Sequence, residues 1–202
     1  MQIALPELDA PATLVLDPEN RFSDDEYFSF CMANPDLQIE RTAQGEIVIV
    51  PPAGGESDNR NWDVSGQLYT WVKKTGRGKG FGPSAQFMLP DGGAMSPDSA
   101  WVSDANLATL TKEQRRRFLP VVPEFVVEIM SPSDRLRAAH RKMRQWMSNG
   151  VELGWLIDGD DRCVYVYRSG RDMLEMRGLS QIAGEGPVEG FVLDLAEIWE
   201  GL

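Results

Sequence analysis

Two acidic residues and one lysine have the side-chain types and positions that metal-assisted chemistry on a phosphodiester requires. Asp98 follows Pro97 and comes directly before a predicted strand, Ser99–Val102. Glu128 lies within residues 125–130, where every other residue is apolar. A carboxylate in a buried strand is costly unless it is neutralised or bound to a cation. Glu128 is therefore either a metal ligand or a structural glutamate that is protonated or paired with a base.

Hydrolysis of a phosphodiester needs a nucleophilic water, neutralised charge at phosphorus and help for the leaving oxygen. Metal ions held by carboxylates supply all three. Mg²⁺ prefers oxygen ligands and keeps several waters beside one or two carboxylates. Lys142 is the candidate cation near the phosphate. It lies at the edge of the apolar face of a predicted helix, about 80° from its centre, and can turn inward or extend into solvent.

The segment between Glu128 and Lys142 sets the distance between them. Ser131 suits a helix cap and Pro132 the first helical position, which predicts a helix from Pro132 whose free amides face the end of the Glu128 strand and suit a phosphate. Lys142 would then lie roughly 15 Å along this helix. It reaches Glu128 only if residues 131–134 are mostly loop and the helix folds back over the sheet.

The pattern of apolar residues predicts an α/β fold, with a mixed sheet covered by helices. A capping box, Ser23 with Glu26, opens the first predicted helix, and Gly76 ends the second. The predicted helices are residues 23–34, 56–75, 111–118, 132–148 and 191–199. The predicted strands are residues 37–41, 46–50, 78–82, 85–89, 99–102, 121–130, 153–157 and 163–168.

Length and charge limit the possible classes. The 202 residues suit one domain, with residues 1–20 as an N-terminal arm or edge segment. The net charge of −11 argues against a protein that coats nucleic acid by charge alone. It allows an enzyme that gathers carboxylates around a metal and keeps its basic residues in local clusters. Those residues form three clusters, each of which could equally be a solvated face: Lys73, Lys74, Arg77 and Lys79; Arg115, Arg116 and Arg117; and Arg135, Arg137, Arg141, Lys142 and Arg144.

The sequence lacks the residues that several other classes of protein require. His140 is the single histidine, which argues against histidine-rich zinc hydrolases and Ser-His-Asp hydrolases and indicates a solvated surface residue. The sequence has no nucleotide-binding GxxxxGK[ST] motif. Cys31 and Cys163 are far apart and are predicted to be reduced, buried thiols. No apolar run approaches a membrane span, so a cytoplasmic protein is expected.

Three stretches together resemble a bacterial restriction-endonuclease-like family, the Uma-two family of the PD-(D/E)xK superfamily. They are residues 41–46, residues 96–102 and the long stretch of residues 123–168. Within the last stretch, the most specific parts are residues 127–134, Lys142 with Met143, and residues 149–158. The resemblance covers about residues 20–170.

The resemblance implies a restriction-endonuclease-like fold and hydrolysis of DNA with Mg²⁺ or Mn²⁺. Asp98 and Glu128 would bind the metal, and Glu40 would be an upstream acid near it. The superfamily lysine usually follows the second acid by two residues, where this chain has Met130. Lys142 matches relatives in which the lysine has moved to the next helix. Glu56 is a weaker candidate for the role of Glu40, and its alternative role is a helix-start charge.

A second interpretation keeps the fold without catalysis, as a dimeric interaction or DNA-binding module. The acidity of the chain favours it, whereas the joint presence of Asp98, Glu128 and Lys142 favours an enzyme. The expected partners are DNA and a second copy of the chain, as a homodimer. Trp62 or Trp71 could guide DNA, although a tryptophan is more often buried.

Overall fold

The computed structural model describes residues 11–15, 21–132 and 134–202. Its first sheet is antiparallel and has the strand order β1-β3-β2-β6-β5. The predicted hairpin of residues 37–41 and 46–50 forms β2 and β3, which are the third and second strands in this order. Its strands are β1 (Ala12–Leu14), β2 (Gln38–Arg41), β3 (Ile47–Val50), β5 (Phe87–Met88) and β6 (Ala94–Met95).

The second sheet is mixed and has the order β11-β10-β9-β8-β7-β4. Strands β8 and β9 run parallel, and the other neighbours are antiparallel. A mixed sheet flanked by helices confirms the predicted fold class. Its strands are β4 (Lys79–Phe81), β7 (Ser99–Val102), β8 (Phe125–Ile129), β9 (Leu153–Asp158), β10 (Cys163–Arg168) and β11 (Leu174–Arg177).

The helices begin and end where local chemistry requires. The predicted capping box is present, because Ser23 and Glu26 bond each other's backbone amides at the start of α1. Helix α2 ends at Gly76, whose φ of 67° is a left-handed conformation that glycine adopts readily. The helices are α1 (Asp24–Met32), α2 (Gly55–Thr75), α3 (Asp104–Ala108), α4 (Leu136–Ser148) and α5 (Ala196–Glu200).

Strand β8 lies at the centre of the second sheet, between two apolar layers. Phe125, Val127 and Ile129 pack in one buried cluster with residues of α2. Val126 and Met130 pack in the other cluster with residues of α4. Because successive side chains of a strand point to opposite faces, Glu128 points to the α4 side of the sheet. The strand order thus directs one acid toward the helix that carries Lys142.

One predicted helix is wrong in the structure, and another is wrong in its first half. Residues 111–118 contain only a 3-10 turn, Gln114–Arg116, while the nearby α-helix is the earlier α3, which Ser103 caps. Residues 191–199 form a strand, β13 (Val192–Asp194), before the short α5, because β13 pairs with β12 (Gln181–Ala183). Such a pairing joins distant residues, and the helical spacing of one segment cannot reveal it.

The predicted N-terminal arm lies outside the described residues, apart from residues 11–15, where β1 forms an edge of the first sheet. Cys31 and Cys163 are free and buried, as predicted. Among the helices described, none is long and apolar enough to cross a bilayer.

Candidate active site

The candidate acids are positioned by β2 and by the neighbouring strands β7 and β8. Ser99 lies opposite Val127 in the antiparallel pair of β7 with β8. The next pair in this register is Asp98 with Glu128, so the two acids lie side by side. The backbone N–H of Ile129 donates to Asp98 Oδ2 at 2.7 Å, which fixes this arrangement. Glu40 lies on β2 of the first sheet and accepts a hydrogen bond from the backbone N–H of Ser96 at 3.0 Å.

Lys142 links the two sheets through these acids. Its Nζ lies 3.1 Å from Glu128 Oε2 and 3.3 Å from Glu40 Oε1. The same ammonium donates to the backbone carbonyl of Ser96 at 3.0 Å. Three acceptor oxygens from separate parts of the chain therefore surround one positive charge. The structure thus brings together Glu40, Asp98, Glu128 and Lys142, the four residues that the sequence proposed.

Helix α4 begins later than predicted, which allows this contact. Of the two possibilities that the sequence left open, the helix start at Pro132 is wrong, and the later start that lets Lys142 reach Glu128 is present, because α4 starts at Leu136. The carboxylate of Asp134 accepts a hydrogen bond from the backbone N–H of Ser131 at 2.8 Å, ahead of the helix start. Lys142 is therefore roughly 9 Å along the helix rather than 15 Å. The predicted phosphate position at a helix start directly after the Glu128 strand is not formed.

Glu128 is the most deeply buried of the acids, with 6% of its surface exposed. Burial raises the pKa of Glu128 to about 8, against the opposing effect of the Lys142 ammonium. The indole N–H of Trp146 donates to Glu128 Oε1 at 2.7 Å. The carboxylate is thus held at one oxygen by an indole and at the other by an ammonium, which fixes its orientation.

The same group of charges shifts the pKa values of Asp98 and Lys142. Burial raises the pKa of Asp98, while Lys142 and the N–H of Ile129 act in the opposite direction. Burial alone lowers the pKa of Lys142, but Glu128 and Glu40 together raise it above its ordinary value. Lys142 is therefore a cation at neutral pH, and Glu40 and Glu128 both contact its ammonium.

The side chains around Lys142 determine whether this arrangement can hold a metal ion. Within the described parts of the chain, no three acidic, histidine or cysteine side chains converge closely enough to hold one. The ammonium of Lys142 lies between Glu40 and Glu128, which keeps their carboxylates apart. The donors are nevertheless all oxygens, and they already surround a cation. This donor set suits a hard divalent ion such as Mg²⁺ or Mn²⁺.

The sequence profile of one family covers most of the chain. The Uma2 family, described as "Putative restriction endonuclease", matches residues 24–196. The chain belongs to the Uma2 family. This family is the Uma-two family that the motifs resemble.

A solved structure shares the fold of this Uma2 chain. It is described as "a putative nuclease belonging to DUF820" from Anabaena variabilis ATCC 29413. The two chains are 16% identical, with a TM-score of 0.73 over 87% of this chain and 96% of the other. At this identity the likeness shows the fold alone. No curated protein matches the sequence.

Glu56 has a different environment from the acids of the Uma2 candidate site. Its carboxylate lies 2.8 Å from Arg60, which also contacts Asp160 at 3.0 Å. Arg60 in addition donates to the backbone carbonyl of Ile198 at 3.1 Å. These contacts join α2 to β9–β10 and to α5. Glu56 is therefore placed in a structural ion pair, and the structure does not bring it to Lys142.

Asn61 belongs to the site although the sequence interpretation did not select it. Its side-chain amide donates to Asp98 Oδ1 at 3.2 Å. A signal was available, because Asn61, Val64 and Leu68 recur at helical spacing on the buried face of α2. A polar amide in such a row is unusual. Trp146 was missed in the same way, because its spacing indicated only a core residue.

The two tryptophans proposed to guide DNA differ in exposure. Trp62 is 80% exposed, whereas Trp71 is 8% exposed and packs in the core. Trp62, Tyr69 and Phe81 line an apolar groove of about 480 Å³, which also includes Ser99, the residue after Asp98. Lys73 lies 5.3 Å from the centre of the Tyr69 ring. Only Trp62 of the pair is therefore available to a ligand.

The basic clusters and His140 are partly structural. Arg117 pairs with Asp25 at 2.6 Å and lies over the Phe28 ring, while Arg137, Arg141 and Arg144 are exposed on α4. The prediction of a solvated His140 is wrong in part. Its ring packs against Tyr165 and contacts the hydroxyl of Tyr167.

Proposed function

We propose that this Uma2 chain is a divalent-metal-dependent nuclease that hydrolyses DNA phosphodiester bonds. The observation that carries the proposal is the meeting of Asp98, Glu128 and Lys142, with Glu40, at one point between the two sheets. Asp98 directly precedes β7 and Glu128 lies on the neighbouring β8, so their separation is fixed by the pairing of these strands and by the hydrogen bond from Ile129 to Asp98. A rigid pair of acids beside a positioned ammonium is the arrangement that phosphodiester hydrolysis requires.

Asp98, Glu128 and Glu40 would hold Mg²⁺ or Mn²⁺. When bound, the ion would neutralise charge at the phosphate and lower the pKa of a coordinated water. The protein supports this role by orienting its ligands. The indole of Trp146 fixes Glu128, the N–H of Ile129 fixes Asp98, and the N–H of Ser96 fixes Glu40. Partners of this kind set the orientation of metal ligands and their affinity for the ion.

Lys142 would act on the substrate. Its ammonium is held by Glu128, Glu40 and the carbonyl of Ser96. If Glu128 and Glu40 bound a divalent ion, their contacts with Lys142 would weaken. The ammonium could then hold the attacking water and stabilise charge that develops on the phosphate. Its side chain is 31% exposed, so it remains within reach of a substrate.

Contacts to DNA would come from elements beside the acids. Arg137, Arg141 and Arg144 are exposed on the helix that carries Lys142, and phosphates are bound mainly by such side chains. Trp62 is 80% exposed and lines the same apolar groove as Ser99, the residue after Asp98. The homodimer expected from the sequence is part of this proposal, and sedimentation of the purified protein tests it.

A second candidate function is a catalytically silent module for DNA binding or dimerisation. The observation in its favour is that Lys142 already neutralises Glu40 and Glu128, which gives the metal-free site its own counter-ion. A protein without catalysis could keep this group as a structural ion pair. Such a role gives Asp98 no function beyond its hydrogen bonds, which makes this candidate the weaker one.

A nuclease assay separates the two candidates. The purified chain is incubated with single-stranded, duplex and nicked DNA in Mg²⁺, Mn²⁺ or EDTA. Glu128→Gln, purified in the same way, controls for contaminating nucleases. The proposal expects cleavage that needs the metal and is lost in the variant. DNA binding without cleavage under all of these conditions would favour the silent module.

A further inference from the structure

Asn61 carries a buried oxygen that accepts no hydrogen bond from any described residue. The residue is 9% exposed, and its Nδ2 donates to Asp98 Oδ1 at 3.2 Å. Its Oδ1 is buried and has no hydrogen-bond partner among the described residues. A buried acceptor without a partner is unfavourable, because it has lost its hydrogen bonds to water. The protein therefore retains an unfavourable oxygen directly beside one of the candidate metal ligands.

The orientation of the amide follows from its neighbour. An ionised Asp98 can only accept hydrogen bonds, so the NH₂ group of Asn61 must face it. The amide oxygen is attached to the same carbon and is left at the edge of the same carboxylate. Ile129 and Asn61 thus occupy one hydrogen-bonding position on each oxygen of Asp98. The amide oxygen and the remaining lone pairs of Asp98 are the groups still available to a cation.

We infer that Asn61 is a positioning residue of the metal site, which rests on the proposed metal-dependent function. Its N–H holds Asp98, and its amide oxygen provides a buried acceptor to the oxygen shell of the divalent ion. Amide oxygens and waters are common neighbours of hard cations in proteins. The acceptor that is unsatisfied in the metal-free protein is satisfied when the ion and its waters are bound.

This inference predicts an effect on metal affinity rather than on folding. Asn61→Leu keeps the approximate shape and deletes both polar atoms. It removes the unsatisfied oxygen together with the hydrogen bond to Asp98, two changes with opposite effects on stability, so the metal-free protein should melt close to the wild-type temperature. Its affinity for Mn²⁺ should fall about 10- to 100-fold, as is typical for loss of a group that orients a metal ligand. A purely structural asparagine would lower the melting temperature and leave the affinity unchanged.

The test measures Mn²⁺ binding directly, without DNA and without catalysis. Free Mn²⁺ is followed by electron paramagnetic resonance during titration of wild type, Asn61→Leu and Asn61→Asp. Asn61→Asp keeps side-chain oxygens and adds negative charge, so it should bind Mn²⁺ at least as tightly as wild type. It should also melt lower without metal, because another carboxylate is added beside Asp98. This second variant keeps the test valid if Asn61→Leu folds poorly.

The control is another amide on the same helix. Gln67 donates to the carboxylate of Asp63 at 3.0 Å, away from the candidate acids, so Gln67→Met should leave Mn²⁺ affinity unchanged. If Asn61→Leu binds Mn²⁺ as tightly as wild type, or if Gln67→Met loses as much Mn²⁺ affinity as Asn61→Leu, the role of Asn61 is overturned. The proposed metal dependence is not affected by either result. If wild type binds no Mn²⁺, the proposed metal dependence fails, and the role of Asn61 fails with it.

Discussion

The ammonium of Lys142, on helix α4, lies 3.1 Å from the carboxylate of Glu128 at the centre of the second sheet. The same ammonium lies 3.3 Å from Glu40, which belongs to the first sheet. Two acids that would repel each other therefore share one counter-ion, and this relieves the cost of their burial. A divalent ion at this site must compete with Lys142. Metal binding, protonation and the role of the lysine are consequently linked, and each can be tested.

Mn²⁺ should stabilise the wild-type protein. A ligand that binds only the folded state adds RT ln(1 + [L]/Kd), about 2.7 kcal/mol at a hundredfold excess over Kd. Millimolar Mn²⁺ should therefore raise the melting temperature of wild type and much less that of Asp98→Asn. Asp160→Asn is the matched control, because Asp160 pairs with Arg60 instead. Equal shifts in wild type and Asp98→Asn would contradict the metal assignment.

Loss of either acid should abolish most of the cleavage. Asp98→Asn and Glu128→Gln should each lower the cleavage rate by on the order of a hundredfold or more, as loss of a main charge-stabilising group does. Both variants keep similar shape and hydrogen-bonding capacity, so their circular dichroism and cooperative melting should persist. The measurement is the initial rate on labelled DNA at saturating metal. Unchanged cleavage by either folded variant would move the active site elsewhere.

The affinity for Mn²⁺ should depend on pH through Glu128. Burial, opposed by Lys142, raises the pKa of Glu128 from an ordinary value of 4.5 to about 8. An ion must displace this proton, so affinity should rise by up to about tenfold per pH unit and level off above about pH 8. Titrations with Mn²⁺ between pH 6 and pH 8.5 measure this slope. Glu128→Gln has no proton to lose there, so its weaker binding should change little with pH.

The same pKa shift has an effect on the stability of the metal-free protein. Because the folded-state pKa is raised, the stabilising contribution of Glu128 is complete below about pH 4.5 and is lost as the pH rises through about 8. Melting in EDTA should therefore show this contribution falling from pH 6 to pH 8.5 in wild type relative to Glu128→Gln. A difference that grows with pH instead would mean that Lys142 dominates over burial.

Local patterns were sufficient to predict the elements that carry the acids. The apolar run around Glu128 predicted a buried strand, and β8 is buried on both faces. The spacing of Val64 and Leu68 predicted α2, with Gly76 as its end. These features depend on neighbouring residues. The resemblance to the Uma-two family added Glu40 and Lys142, whose proximity to Asp98 no spacing rule could show.

The predictions that were wrong or incomplete concern features that depend on contacts beyond the local sequence pattern. The start of α4 was misplaced because the side chain of Asp134 forms a turn with Ser131, which competes with a helix start at Pro132. Strand β13 forms because it pairs with β12, a contact that the helical spacing of its own segment hides. Asn61 was missed because its importance depends on a hydrogen bond to Asp98, which follows it by 37 positions. Such relationships appear only after the sheets are assembled.

Trp62 should contribute to DNA binding without contributing to stability. Its ring is 80% exposed, so Trp62→Ala should leave the melting temperature nearly unchanged. Loss of one aromatic stacking partner costs about 1–3 kcal/mol of affinity for single-stranded DNA. Fluorescence anisotropy with labelled single-stranded DNA in EDTA measures this loss. Trp71→Phe is the control, because Trp71 is buried and its change should lower stability while DNA affinity persists. Equal DNA affinity of Trp62→Ala and wild type would remove Trp62 from the DNA surface.

Lys142 must be separated from the other positive charges of α4. Lys142→Met deletes the charge and keeps the aliphatic stem and helix propensity. Arg144→Met deletes an exposed charge on the same helix. If Lys142 acts at the scissile phosphate, its loss should lower the rate at saturating DNA by on the order of a hundredfold and leave DNA affinity nearly intact. Loss of Arg144 should mainly weaken DNA binding and reduce its salt dependence by up to about one phosphate contact.

The metal response of Lys142→Met provides the decisive comparison. Removal of the ammonium leaves Glu40 and Glu128 without their shared counter-ion, so the metal-free protein should melt lower than wild type. Mn²⁺ no longer competes with Lys142, so its stabilising effect should be at least as large as in wild type. A slow enzyme that still binds metal and DNA would place Lys142 in the chemical step. If Lys142→Met and Arg144→Met both only weaken DNA binding, Lys142 belongs to an electrostatic surface, and its contact with Glu128 serves the fold.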